Sequence, residues 1–105
     1  MIGGFIVLGT AAERLIVRAL GPSVPVAGTI PNPLLELHDQ NGALIRANDD
    51  WRSDQLTEIQ GTGVPPANDR ESAIVTSLTP AAYTAIVRDA GGATGVALVE
   101  VYGLN

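Results

Sequence analysis

The chain has 105 residues, enough for one domain built around a single core. It is 46% apolar but only 4% aromatic, carries a net charge of −5, and contains neither lysine nor cysteine. That composition excludes disulfides, thiolate catalysis, zinc–sulfur sites, Schiff-base chemistry and P-loops, argues against nucleic acid as a partner, and leaves a core of Val, Leu, Ile and Ala.

Ile2–Leu8 is apolar and predicts a strand buried on both faces. It lacks the basic flank of a signal peptide, and Gly3-Gly4 interrupts it; no stretch approaches the roughly 20 apolar residues of a membrane helix, so no membrane insertion is expected. Ala11–Leu20 carries two conflicting patterns. Thr10 with Glu13 fits a capping box, Ala11, Ala12, Leu15, Ile16, Ala19 and Leu20 share a helical face, and Gly21-Pro22 suits a helix stop. The strand reading instead sets Leu15, Val17 and Ala19 inward, with Arg14, Ile16 and Arg18 outward. Local periodicity does not choose between them.

From residue 33 the pattern is clearer. Leu35 and Leu37 alternate with Glu36 and His38, as in a strand with one buried face. Asp39-Gln40-Asn41-Gly42 supplies a turn, and Ala43–Ala47 reads as the returning strand. The hairpin empties into Asn48, Asp49, Asp50 and the single tryptophan, Trp51. Asp49–Ser72 is the longest irregular stretch, and Asp49 and Asp50 are expected to anchor its start by caps or by metal. Within it Ser53 is expected to cap a short helical turn that carries Leu56 and Ile59 inward and stops near Gly61.

Ala73–Leu78 and Tyr83–Arg88 flank Thr79–Ala82, which suits a hairpin connection. Asp89–Gly95 is the next turn, before Val96–Tyr102, where Ala97, Val99 and Val101 are expected inward and Glu100 toward water. Arg18, Arg46 and Arg88 are expected on outward strand faces opposite Glu36 or Glu100. Short strands with frequent turn signals predict an all-β fold, an antiparallel sandwich or barrel over residues 1–105.

Candidate chemistry is sparse. Asp39, Asn41, Asn48, Asp49, Asp50 and Asp54 are hard oxygen donors of the kind Ca²⁺ takes, although no EF-hand loop is present. Ordinary turn and cap hydrogen bonding is the competing and preferred reading of the same residues. Trp51 is expected to cover an end of the core with its indole N–H on a carbonyl, and Tyr83 and Tyr102 read as packing or corner residues. His38 beside Asp39 lacks a nucleophile elbow or oxyanion site, so catalysis is not expected.

The ordered series Ile2-Gly-Gly-Phe-Ile-Val, Leu15-Ile-Val-Arg-Ala-Leu-Gly-Pro-Ser, Pro33-Leu-Leu-Glu-Leu, Asn41-Gly-Ala-Leu-Ile, Asn48-Asp-Asp-Trp, Glu71-Ser-Ala-Ile-Val, Pro80-Ala-Ala-Tyr-Thr-Ala and Gly95-Val-Ala-Leu-Val-Glu-Val-Tyr spans nearly the whole chain. It resembles the repeat domain of large secreted bacterial surface and matrix proteins, and more distantly the jelly-roll-like pre-peptidase C-terminal domains. The resemblance implies a jelly-roll-like sandwich, a strand rather than a helix over Arg14–Leu20, and calcium near the acidic loops. It also implies an extracellular or cell-surface setting, with partners that are further copies, neighbouring domains or an extracellular polymer.

Such repeats carry another strand-forming segment upstream of the Ile-Gly-Gly-Phe motif, so the expectation is a sheet short of one N-terminal strand. Gly3, Gly4, Phe5, Ile6, Val7 and Leu8 would then form an open assembly edge, unless Val96–Tyr102 covers it. A charge at Ile6 is expected to disturb the core as well as that edge. The leading functional expectation is a non-catalytic structural or adhesive module that self-associates through the edge. The alternative is a module binding carbohydrate or polypeptide through the loops around Asn48–Trp51 and Gly61–Asn68.

Overall fold

A computed structural model describes residues 1–104. Seven strands form two antiparallel sheets: β1 (Ile2–Val7), β2 (Glu13–Leu20), β3 (Pro33–His38), β4 (Leu44–Asn48), β5 (Ser72–Leu78), β6 (Ala81–Asp89) and β7 (Leu98–Gly103). One sheet has the order β1-β6-β3-β4 and the other β5-β2-β7, so the chain is an all-β sandwich. A 3₁₀ turn at Trp51–Ser53 and the short helix α1 (Leu56–Gly61) lie in the long β4–β5 crossover. No helix among the described residues is long and apolar enough to cross a membrane.

Only β3 and β4 form a hairpin within one sheet; every other connection passes between the sheets, as in a jelly roll. The Thr79–Pro80 link is therefore a crossing and not the expected hairpin. Its composition specifies a bend, and the distance spanned is set by the sheet each strand joins. The Tyr83 hydroxyl braces this bend by donating to the Thr79 carbonyl at 2.5 Å.

Residues 13–20 are strand throughout, paired with β5 on one side and β7 on the other. Two ladders outweigh a helical stripe whose isolated helix would be marginal at this length. Leu15, Val17 and Ala19 enter the inter-sheet core with Leu35, Leu37, Ile74, Tyr83, Ala85 and Val87. Ile16 points the other way, yet it is fully buried, because the crossover folds over that outer face. Ile16, Ala73 and Val75 meet Trp51 and Ile59 there in a second apolar cluster. Gly21 follows β2, where a side chain would run into the Ile30 carbonyl oxygen.

Four further expectations change. β1 is not buried on both faces: its burial alternates, and Ile2 and Ile6 are 73% and 68% exposed on the outer face. Val101 is exposed near the rim of β7. In the crossover Ile59 is buried but Leu56 is exposed, and Ser53 makes no N-terminal cap on α1; its hydroxyl donates back to the Asp50 carbonyl at 2.7 Å.

Candidate functional site: the open side of the sandwich

A sheet edge is defined by where its backbone groups point. Met1 and Val87 exchange both main-chain hydrogen bonds at 2.9 Å, which sets the phase of the β1–β6 ladder. Alternation along the ladder then directs the N–H and C=O of Gly3, Phe5 and Val7 at β6, and those of Ile2, Gly4 and Ile6 away from it. β1 is the last strand of its sheet, and these outward groups have no partner among the described residues. In β7 the Leu104 N–H donates to the Arg14 carbonyl at 2.8 Å, so Val99, Val101 and Gly103 point outward from β2 by the same argument. Val96–Tyr102 thus lines β2 and does not cover β1.

These two edges lie on one side of the molecule. Met1, at the start of β1, and Ala97, just before β7, line a common cleft of about 240 Å³ together with Ile30, Val87, Ala93 and Thr94. The exposed large apolar residues concentrate along this side: Met1, Ile2, Ile6 and Leu8 on or beside β1, and Val96, Leu98, Val101 and Tyr102 on or beside β7. Of the six expected edge residues, Gly3 to Val7 lie in the strand, while Leu8 lies just beyond it and is 80% exposed.

On the opposite side the β5 edge is partly covered. Ala73, Val75 and Ser77 are the outward residues of β5, and side-chain amides engage the first two. Asn48 Oδ1 accepts the Ala73 N–H at 3.1 Å; Gln55 accepts the Val75 N–H at 3.1 Å and donates to its carbonyl at 2.8 Å. Gln55 reaches this position with a left-handed backbone, φ 55°. Sequence reasoning missed Gln55, because its partner is 20 residues away.

The acidic residues expected to hold calcium have other partners or stand apart. Asp39 accepts the N–H groups of Asn41 and Ala43 in its own turn, both at 2.9 Å, and so shapes the hairpin. It lies at the turn end of the β3–β4 pair, whereas Asn48 lies at the other end opposite Leu35. Asp54 binds Arg46 at 2.8 Å. Asp49 and Asp50 follow Asn48, but neither carboxylate caps the crossover; the Asp50 backbone carbonyl accepts from Asn48 and Ser53 instead. Partial burial, then the charges of Asp50 and Asp89, hold the Asp49 carboxyl above its usual value. No group of three or more His, Asp or Glu side chains among the described residues is arranged to hold one metal ion.

The crossover is fastened by a residue that sequence reasoning quoted without a role. Glu71 is fully buried, and its carboxylate accepts the N–H groups of Gly21 at 2.8 Å, Ser23 at 3.0 Å and Asn68 at 3.1 Å, together with the Ser23 hydroxyl. Trp51 packs against the outer cluster, and its indole donates to the Asn68 carbonyl at 3.2 Å. Asp89 similarly organises the loop after β6. Its carboxyl lies below the usual value because Ala93, Asn32 and Gly91 donate their N–H groups to it, an effect that exceeds the opposing cost of burial.

The outer faces carry the expected charge pairs. Arg18 meets Glu100, and Arg88 meets Glu36, whose other oxygen lies 3.0 Å from His38 Nε2. The hydrogen bond to Glu36, then that to the Gly42 carbonyl, raises the His38 pKa. Arg46 pairs with Asp54 and not with a strand carboxylate. These are charge pairs on the outer faces, without a nucleophile in contact. Comparison with protein-family models finds no match, and comparisons with curated proteins and with solved structures find none either.

Proposed function

We propose that this sandwich is a non-catalytic structural or adhesive module, of the extracellular kind its sequence resembles, that self-associates by adding a strand at the β1 edge. One observation carries the reading: the outward N–H and C=O groups of Ile2, Gly4 and Ile6 are unpaired, on a strand with no charge and no proline. Exposed edges are ordinarily blunted by lysine, proline, bulges or covering groups, and β5 shows this chain using side-chain amides for that purpose. Main-chain pairing supplies affinity in strand addition, and the apolar outer-face residues Ile2 and Ile6 add burial.

The test is light scattering of the 105-residue chain over a range of concentrations, with two edge variants. Gly4→Pro removes an outward N–H that β6 does not use, and a Cβ there meets only ordinary contact, 3.8 Å from the Tyr83 carbonyl. Ile6→Lys places a charge on the exposed face without entering the core, contrary to the expectation from sequence. Both should stay folded by circular dichroism and run at monomer mass while the wild type runs heavier. A wild type that stays monomeric at high concentration, or folded variants of unchanged oligomer mass, would overturn the proposal.

A further inference from the structure

Building on the edge reading above, we infer that the occupant of the β1 edge is β1 of a second copy, related by a two-fold axis at Gly4. The outward residues are Ile2, Gly4 and Ile6, with Gly4 at their centre. An antiparallel β1–β1′ pair centred there sets Gly4 opposite Gly4′ and Ile2 opposite Ile6′. Every outward N–H then meets an outward C=O and none is left over. The result is a continuous sheet running β4-β3-β6-β1-β1′-β6′-β3′-β4′. The interface is isologous and closes at two copies.

Side chains favour the same register on both faces. On the exposed face, Ile2 beside Ile6′ extends an apolar strip that already includes Ile86 and Ala82, the β6 neighbours of Ile2 and Ile6. On the inner face Phe5′ falls opposite Gly3, where a Cβ would meet nothing within 4 Å. That space suits an aromatic ring across a glycine, the arrangement that repairs glycine in edge strands. Phe5 stacks on Tyr83, its β6 neighbour, at 5.7 Å, which holds the ring on this inner face. The head-to-tail alternative, β1 against β7′, is poorer: it lines an uncharged strand with one that carries Glu100, and a Cβ at Gly103 would stand 3.2 Å from Glu13 Oε1.

Because the chain contains no cysteine, single substitutions report the register directly. Directly opposed residues of a hydrogen-bonded pair have Cα atoms about 5.5 Å apart, inside the roughly 4.4–6.8 Å range of disulfides. Under mild oxidation Gly4→Cys should form a covalent dimer at concentrations where Leu8→Cys does not. A mixture of Ile2→Cys and Ile6→Cys should give the mixed dimer, while neither alone cross-links, since Ile2 and Ile2′ lie on the order of 14 Å apart. The mixed pair uses exposed positions, so it reads the register even if Gly4→Cys fails to fold.

Light scattering should show a fixed mass of two chains. If the wild type is oligomeric but these cross-links do not exceed the Leu8→Cys control, the two-fold register is wrong while edge assembly stands. Masses that grow beyond the dimer with concentration would likewise overturn the closed interface in favour of head-to-tail addition. A wild type that is monomeric throughout would overturn both.

Discussion

Gln55 lies against the outer edge of β5 and completes both main-chain hydrogen bonds of Val75, donating to its carbonyl at 2.8 Å and accepting its N–H at 3.1 Å. The side-chain amide stands in for the residue of a neighbouring strand. The crossover is thereby fastened to the sheet, and one edge is withdrawn from pairing with other chains. Asn48 Oδ1 accepts the Ala73 N–H beside it, so two of the three outward N–H groups of β5 are taken up within the molecule.

Gln55→Ala should therefore destabilise the fold by about 1–3 kcal/mol, since the Val75 backbone groups lose their partners in a partly buried setting. Urea unfolding followed by Trp51 fluorescence would read this as a lower midpoint at unchanged slope. A midpoint within error of the wild type would show that water replaces the amide at no cost.

Glu71→Gln should be at least as damaging, at about 1–3 kcal/mol or more. All its protein partners donate hydrogen bonds, so an amide NH₂ in place of one carboxylate oxygen faces donors with a donor. Ser23→Ala removes only the hydroxyl contact and should cost less. The ratio of the two unfolding midpoints tests whether the carboxylate, rather than its packing volume, holds the Gly21–Ser23 loop.

His38 is the single histidine, so its titration is directly visible by NMR. Its hydrogen bond to Glu36 raises its pKa, and Glu36 in turn is held below its usual value chiefly by the bond to His38. A raised histidine contributes stability below its unfolded value of about 6.5, lost as pH rises through the folded value. The lowered glutamate contributes above its unfolded value of about 4.3, lost as pH falls through its folded one. The pair should be strongest between these limits. Glu36→Gln should move the His38 midpoint downward, and an unmoved midpoint would refute the coupling.

Asp49 has the opposite sign. Its folded carboxyl is held up by burial and by Asp50 and Asp89, so its contribution is most favourable at low pH and is lost as pH rises through the raised value. Its carboxylate accepts no hydrogen bond among the described residues. Asp49→Asn should raise the melting temperature at neutral pH in EDTA, with the gain shrinking as pH falls through the raised value and gone below about 3.9. A lower melting temperature at neutral pH would mean that the charge is used.

The same reading bears on calcium. Three of the expected donors are engaged: Asp39 by its turn, Asp54 by Arg46 and Asn48 by Ala73. A calcium ion at the Asn48–Asp54 end would have to displace the Ala73 and Arg46 partners. A rise in melting temperature on adding calcium, abolished in Asp49→Asn, would reinstate Asp49 as a ligand.

What the sequence by itself determined is local. Alternation of Leu35 and Leu37 with Glu36 and His38 places β3 half-buried, and the Asn41-Gly42 pair sets its hairpin with β4, where φ of 82° at Gly42 suits glycine. The scarcity of aromatics likewise pointed to a core role for Trp51, and its indole does reach a carbonyl. These features depend on neighbours within a few residues or on one side chain's need for a partner.

The tertiary structure decided what depends on distant strands. Residues 13–20 carry helical and strand patterns of similar strength, and only the ladders with β5 and β7 resolve them. Whether Thr79–Pro80 returns within a sheet or crosses between sheets is equally invisible locally, because a turn composition encodes a bend but not which strand will be the neighbour. Glu71 and Gln55 find partners 48 and 20 residues away. The bare β1 edge belongs to the same class: the apolar run is legible, but its freedom follows from β7 pairing with β2 instead.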